Sequence, residues 1–563
     1  MRRILVAAVL TSLAGGWYLA LPPRADPPPA GAGAAAGSVR GAIHIHTSRS
    51  DGTGTVDEVA AAAARAGLHF IILTDHGDAT REPDPPQYRA GVLCIDAVEI
   101  STADGHVLAL GLPQAPYPLG GEGRDVVEDI ARLGGFAIAG HPGSIKPELQ
   151  WSDWRVPVGG LEWMNGDSEW RDESRWTLLK ALLTYPARPA ETLASLLDRP
   201  DAVLQQWDQL TGERRVVAVA GADAHARLGF RSFGEPYDNG SSLHVPSYEE
   251  VFRLFSNVLP GVVLSGEAAA DAGLILSALR EGHVYSVVDA IGRGGNLTFT
   301  LEGAGRPVEG GDAVQGQRPI LLRADVAGPA GARIRLLKDG SLAAEGSPPR
   351  LEQMADGAAP AVYRVEVTLP GAPGAPPVPW MVSNPIYVGQ RQPPAPVAQR
   401  AASRFGVRYA GGPATDWAME TSPASKAAFD VTAAPRGTEL ALRYALGGAA
   451  SSSPFAAFVL RAGPALAQYD RLIFTARAER PMRLSVQLRE PAGLDGRRWR
   501  RSVFVGTEPR EITVAFDDLR PIDPAAGSPT LGNVDSLLFV VDTMNTPLGG
   551  SGRIWIDDVK YGR

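Results

Sequence analysis

A chain of 563 residues with 44% hydrophobic and 21% charged residues is a folded protein of several domains, because a single hydrophobic core stops growing well below this length. Its 54 Lys and Arg against 62 Asp and Glu leave a net charge of -8, which excludes the basic footprint of a long nucleic-acid binder but not a small phosphorylated substrate. The single cysteine, Cys94, excludes an internal disulfide and reads, within Val92-Leu93-Cys94-Ile95, as a buried strand thiol.

Met1-Arg2-Arg3 precede an apolar run from Ile4 to Leu21 and a Pro, Gly and Ala-rich stretch from Pro22 to Gly37. Residues 1–37 read as an export signal and linker, with Ala30-Gly31-Ala32 or Ala34-Ala35-Ala36 as the cleavage site. The run is also close to the roughly 20 residues that span a bilayer, so an uncleaved anchor is the alternative. A periplasmic or extracellular location is expected, with membrane contact only if this segment is retained.

From residue 38 to 290 short apolar runs alternate with helical stretches. Gly41–His46, His69–Thr74, Val92–Ile100, His106–Leu110, Phe136–Ala139 and Val216–Ala220 read as strands. Thr55–Gly67, opened by a Thr55-x-x-Glu58 capping box, Arg124–Leu133 and Ala202–Leu210 read as helices. That alternation predicts an α/β layer or barrel. Residues 291–389 change to short alternating strands with Gly and Pro turns, a β-sandwich pattern. Residues 390–402 carry three prolines and read as a linker. Residues 403–563 hold strands such as Leu472–Ala476, Arg483–Leu488, Glu511–Phe516, Ser536–Val541 and Arg553–Val559 without long helices, so a second all-β domain follows.

His44-Ile45-His46 places two imidazoles on one face of a strand, since side chains at i and i+2 point the same way. Alone the pair is a weak signal. It keeps company, however, with Asp51 in Ser50-Asp51-Gly52, His76 after Thr74-Asp75, Glu99, His106, His141 in Gly140-His141-Pro142 and Asp223-Ala224-His225. These ligand-type residues recur at the carboxyl ends of expected strands, where barrel enzymes gather their sites. Six of the nine histidines take part, which chance placement explains poorly.

In order and in motif this set resembles the PHP family, the polymerase and histidinol phosphatase superfamily of metal-dependent phosphoesterases. The resemblance runs from about Ser38 to Ala290 and implies a distorted (β/α)7 barrel holding two or three divalent metals. By resemblance, His44, His46, Glu99 and Asp223 would hold one metal. Glu99, as a bridge, with His106 and His141 would hold a second, and Asp51, His76 and His225 a third. Asp51 stands where many members of the family have histidine. Ser383-Asn384-Pro385-Ile386-Tyr387-Val388 resembles the exported branch of that superfamily related to carbaryl hydrolase, in which the barrel carries a small sandwich. The final domain, ending in Gly552-Arg553-Ile554-Trp555-Ile556-Asp557-Asp558-Val559, is similar to jelly-roll carbohydrate-binding modules.

Such a centre lowers the pKa of bound water from 15.7 toward about 7, so hydrolysis at phosphorus or an ester carbonyl needs no side-chain nucleophile. Mixed imidazole and carboxylate ligands suit zinc or manganese, with iron also accepted. Asp75 is a candidate orienter of a ligand imidazole, against the plainer reading that it solvates a strand end. Arg49, Lys146 and Arg227 stand beside the ligands as candidate clamps for an anion, Arg227 foremost, against solvated loop charges. His69, His244 and His283 lack partner motifs and read as structural. Asp167 to Glu173 with Trp163 and Trp170 either line a substrate entrance or begin an exposed helix. Trp499 and Trp555 either stack on sugar or pack in the core.

Three functions fit. The first is a phosphoesterase acting on small phosphate esters or nucleotides. The second is a carboxyl-ester, carbamate or amide hydrolase, and the third a non-catalytic glycan-binding protein with the barrel as scaffold.

Overall fold

The computed structural model describes residues 15–25, 38–229, 242–243, 245–303, 308–316, 319–389, 401–411, 414–434, 437–448, 453–463, 466–491 and 496–563. Most of the expected export segment, nearly all of the linker 390–402, and His244 lie outside the described residues. No described helix is long and apolar enough to cross a membrane. By contact the chain forms two units. The first is Met1–Gly77, Glu82–Pro113 and Ile130–Pro393, and the second is Asp78–Arg81, Gln114–Asp129 and Pro394–Arg563.

The strands that build the α/β part of the first unit are β1 (Ser38–Ile45), β2 (Phe70–Leu73), β3 (Gln87–Arg89), β4 (Val92–Asp96), β5 (Val98–Thr102), β6 (Gly105–Leu110), β7 (Phe136–Ala139), β8 (Gly160–Asn165) and β9 (Val217–Ala224). Strand β1 lies parallel to β2 and β9, β8 parallel to β9 and β7, and β6 antiparallel to β7 and β5. The pairings close into a barrel. Runs such as Phe70–Leu73 are apolar at every position and wholly buried, as strands covered on both faces must be. The helix Val56–Ala66 begins as its sequence dictates. Thr55 accepts from the Glu58 N–H while Glu58 accepts from the Thr55 N–H, and Gly67 closes the other end at φ 80°.

The expected single strand Val92–Ile100 is two. Strand β4 pairs with β2, and at Ala97, whose N–H donates to Leu73 at 2.7 Å, the chain breaks so that β5 pairs with the residues beyond β2. There Gly77 donates to the Glu99 carbonyl at 3.0 Å and His76 forms a bridge with Glu99. Strand β8 was not anticipated, because Glu162 interrupts the apolar pattern of Gly-Leu-Glu-Trp-Met-Asn.

Residues 291–389 are rich in strands and belong by contact to the first unit. Four antiparallel strands, Asn296–Glu302, Val308–Glu309, Ile320–Ala327 and Arg350–Ala355, share one core with Arg333–Lys338, Ala361–Thr368 and Ile386–Val388. Met381–Ser383 then pairs with Tyr285–Val287 of the barrel sheet, so hydrogen bonding runs through the expected boundary at 290/291. Asn384 supplies the lock. Its amide accepts from the Ala218 N–H and donates to the Ala218 carbonyl, both at 2.8 Å, while Tyr387 accepts from the Val216 N–H at 3.1 Å.

The second unit contains two six-stranded antiparallel sheets packed over a core that includes Trp417, Phe458, Phe474, Trp499, Phe539 and Tyr561. Gln114–Asp129, expected with the barrel, belongs to this unit by contact. The buried Arg483 guanidinium meets Asp129 at 2.9 Å and donates to the Asp125 carbonyl at 2.8 Å. Charge pairing across more than 350 residues leaves no trace in local periodicity.

Candidate metal centre

All nine expected ligands come together at the rim of the barrel. His44 lies in β1 and His46 just past it, Asp51 lies in the following loop, and His76 follows β2. Glu99 is in β5, His106 in β6 and Asp223 in β9, while His141 and His225 lie just beyond β7 and β9. His106 reaches this rim because β6 runs antiparallel, so its first residues, paired with the end of β5, lie where the parallel strands finish.

Glu99 stands at the middle. One carboxylate oxygen is 3.2 Å from His44 Nε2, 3.1 Å from His46 Nε2 and 3.3 Å from His76 Nδ1. The other is 2.7 Å from His106 Nδ1 and 2.9 Å from His141 Nε2. Asp223 lies 3.4 Å from Nε2 of both His44 and His46 and 3.2 Å from His141 Nδ1. Asp51 is 3.2 Å from His225 Nε2 and 3.4 Å from His46 Nδ1.

Four groupings place one ligand atom per residue within 4.8 Å of the others. They are His46, Asp51, His76 and His225; His44, Glu99 and His141; His44, His46 and Asp223; and His76, Glu99 and His106. The partition departs from the expected one at His106, which gathers with His76 and Glu99, and at His141, which gathers with His44 and Glu99.

Whether this set suits cations is answered by its orphaned atoms. His44 Nε2, His46 Nε2, His141 Nδ1, Glu99 Oε2 and both Asp223 carboxylate oxygens are buried without a hydrogen-bond partner among the described residues. Leaving so many polar atoms unpaired in one interior costs about 1–3 kcal/mol each unless something fills the space between them. Imidazole and carboxylate lone pairs facing one another at 3.1–3.4 Å fit divalent ions. Burial opposes charge on Glu99, Asp223 and Asp51, yet the imidazoles hold all three well below the usual carboxylate range. For His46 burial is outweighed by Asp223 and Glu99, which push it up to about 10.

Behind the ligands lies a residue the sequence reading missed. Glu162 sits 2.6 Å from His44 Nδ1, accepts from the His141 N–H at 2.9 Å and from Asn165 Nδ2 at 2.8 Å. A carboxylate at Nδ1 requires the proton there and leaves Nε2 as a lone pair toward the cluster. The signal was a lone charge inside a buried apolar strand, which needs a partner to exist at all.

Asp75 takes a different place from the one expected. Its carboxylate accepts from the Thr47 N–H at 2.7 Å, the Thr47 hydroxyl at 2.8 Å and the Ser50 hydroxyl at 2.7 Å, so it fixes the loop that carries Asp51 rather than an imidazole. Arg49 is engaged by Asp84 and by Asp96 at 3.2 Å. Arg227 donates to the Asp51 carbonyl at 3.4 Å, and its Nη2 is buried without a partner among the described residues. The remaining histidines behave as structural groups where described. His69 accepts from the Arg40 N–H at 3.1 Å, and His283 faces Asp312 at 3.4 Å.

A cavity of about 710 Å³ opens beside the cluster, with Asp223, His225 and Arg227 on one wall. Asp167, Glu169, Trp170 and Lys146 also line it, whereas Trp163 is buried in β8. In the second unit Trp499 is wholly buried, its indole donating to Gly527 at 2.6 Å, and Arg477 lies 3.7 Å over the Trp555 ring. Burial closes Trp499 to stacking on sugar.

Fold and site thus define a mixed α/β protein with a buried histidine–carboxylate cluster and a C-terminal all-β region. No family model matches the chain, and no curated protein sequence matches it. Among solved structures it is similar to the family 11 carbohydrate-binding module of a cellulosomal cellulase of Clostridium thermocellum, at 15% identity over 29% of this chain and 97% of that one, with a TM-score of 0.25. It is also similar to a family 30 carbohydrate-binding module of a second cellulosomal cellulase of that organism, at 11% identity over 28% and 96% of the two chains and a TM-score of 0.22. A third likeness is to a carbohydrate-binding module studied for mannan recognition, at 17% identity over 29% and 99%, with a TM-score of 0.20.

Proposed function

We propose that the chain is a PHP-type metal-dependent hydrolase, acting first on phosphate esters. The observation that carries this reading is the set of buried, partnerless Nε2, Nδ1 and carboxylate oxygen atoms of His44, His46, His141, Glu99 and Asp223, which converge in one interior. His44, His46, Asp51, His76, Glu99, His106, His141, Asp223 and His225 would hold two or three divalent ions, zinc or manganese. Such ions supply Lewis acidity and acidify water to a pKa near 7.

The protein's own groups supply the rest. Glu162 holds His44 in one tautomer, and Asp75 fixes the Thr47–Ser50 turn that presents Asp51. The Nη2 of Arg227, beside Asp51 and without a partner among the described residues, would donate to an anionic oxygen of the substrate, which favours a phosphate ester. A carboxyl-ester or carbamate hydrolase is the second reading, favoured by the apolar walls of the adjoining cavity.

The test is metal analysis of purified protein together with turnover of p-nitrophenyl phosphate, bis-p-nitrophenyl phosphate and p-nitrophenyl acetate. Two or three metals per chain with phosphate-ester turnover support the first reading, and acetate turnover alone supports the second. Glu99→Gln is expected to lower metal content and to cut turnover at least a hundredfold, because Glu99 faces five imidazoles. Unchanged metal content in that variant would overturn the assignment.

A further inference from the structure

We infer that the substrate carries an extended apolar group, an alkyl chain or aryl-alkyl body, which lies in the cavity beside the cluster while its ester reaches Asp223, His225 and Arg227. The inference rests on the hydrolase reading for the chemistry, but on the cavity alone for the binding.

The volume of about 710 Å³ falls within the roughly 300–1,000 Å³ of small-molecule sites. Its aliphatic lining comes from three helices: Leu178 and Leu182 from Arg175–Thr184, Leu193 and Leu197 from Pro189–Ala194 and the turn after it, and Val251 and Leu254 from Tyr248–Phe252 and its end. Polar groups also line it: Lys146, Arg175 and, with one guanidinium nitrogen each buried without a partner among the described residues, Arg171 and Arg227, whereas the two acids are engaged. Asp167 is taken by Arg171 and by the Trp170 indole at 2.9 Å, and Glu169 accepts from the Asp198 N–H at 3.0 Å. Burial, with Asp172, Asp198 and Glu173 nearby, pushes the Glu169 carboxyl up to about 8. Against the aliphatic residues of the three helices a sugar or a nucleobase would leave its hydrogen-bonding groups unmatched, at the full cost of desolvating them. A hydrocarbon would not.

The mouth is apolar as well. In Arg175–Thr184 the sequence Arg-Trp-Thr-Leu-Leu-Lys-Ala-Leu-Leu-Thr is greasy on both sides, and Leu179 and Leu182, which line the cavity, are also 44% and 59% exposed. Trp176 stands beside them, 80% exposed. Exposed apolar surface of this kind mostly marks a place where something apolar arrives. Water adds its oxygen to phosphorus or to the carbonyl carbon, the ester bond breaks, and the departing alkoxide takes one of the water protons. The products are an acid and an alcohol, and no redox partner is involved.

The full chain tests this in two ways. Metal-free protein titrated with monomeric alkyl phosphates of four, eight and twelve carbons, followed by calorimetry, should bind about two- to fourfold more tightly per added methylene until the cavity is full. Leu182→Glu and Leu197→Glu should each flatten that series, whereas Leu182→Met should preserve it. In the metal-loaded enzyme, kcat/KM for p-nitrophenyl alkanoates and for alkyl p-nitrophenyl phosphates should climb in parallel. Presenting the same twelve-carbon ester as monomer or in phosphatidylcholine vesicles then assigns the source, a soluble ester or a bilayer lipid. Affinity independent of chain length overturns the inference even if the enzyme turns over short esters. Rising affinity with no turnover of any ester upholds the apolar site and removes the hydrolase reading instead.

Discussion

His44, His141 and Asp223 hold φ of 67°, 48° and 47°, a region that L-residues with a Cβ visit rarely and at about 1–3 kcal/mol each. Two of them face one another where the β1–β9 register slips between Ile43 and Ile45, and a second slip between Glu162 and Met164 lies one strand away. Bulges re-aim side chains, and here they turn ligands from neighbouring strands toward Glu99. Gly221 belongs to the same device, since a Cβ there would stand 1.7 Å from Glu162 Oε1. Gly221→Ala is therefore expected to dislodge Glu162 from His44 and from the His141 amide. Metal affinity should fall about 10- to 100-fold while circular dichroism stays that of the native protein; an unchanged affinity would mean that Glu162 does not position the cluster. The histidine pair and its companion motifs were legible because ligand types are rare and their spacing is local. Glu162 was not, because its importance lies in what it touches across the barrel.

At the scale of elements, helix Ala268–Glu281 lacks a side-chain cap at its start and is held another way. The Asp271 carboxylate turns back to accept from the Ser265 N–H and hydroxyl and the Gly266 N–H, each at 2.8 Å, and from the Tyr88 hydroxyl at 2.7 Å. Burial opposes the charge, but these donors outweigh it and lower Asp271 to about 2. A carboxylate depressed in the folded state contributes stability above its unfolded value near 3.8, lost as pH falls through about 2. Asp271→Asn is thus expected to melt below the parent protein at pH 7, with the gap closing between pH 4 and pH 2. A constant gap across that range would assign the effect to shape rather than charge. The capping box at Thr55 and Glu58 was readable because it spans four consecutive residues. The break at Ala97 was not, since Val92–Ile100 is apolar enough for one strand and only the partner on the far side decides where it divides.

Across the first unit, the sandwich strands are tied to the helix-bearing layer by a buried ion network. Arg364 donates to Asp208 at 2.6 and 2.8 Å and to Glu366 at 2.7 Å, and Glu366 also takes both guanidinium nitrogens of Arg199 at 2.8 Å. Burial opposes the charge on Glu366, yet the two arginines hold it down to about 2. Removing one member of such a set strands the others, so Arg364→Ala is expected to cost about 3 kcal/mol in denaturant unfolding. A loss below about 1 kcal/mol would show that solvent reaches the network. With Asn384 bonded to the backbone of β9, this network explains why residues 291–389 join the first unit although their sequence texture is that of a separate domain.

What the sequence by itself determined is local. Alternating patterns named an α/β layer followed by β-rich chain, and nine ligand-type residues at strand ends named the cluster, because periodicity and side-chain chemistry are properties of neighbouring residues. Tertiary structure decided the rest. The placement of Glu162 behind His44, the sharing of Glu99 among five imidazoles, the merger of the sandwich with the barrel sheet and the aliphatic cavity beside Asp223 and His225 all join residues far apart in the chain. Only close packing fixes which of those meet.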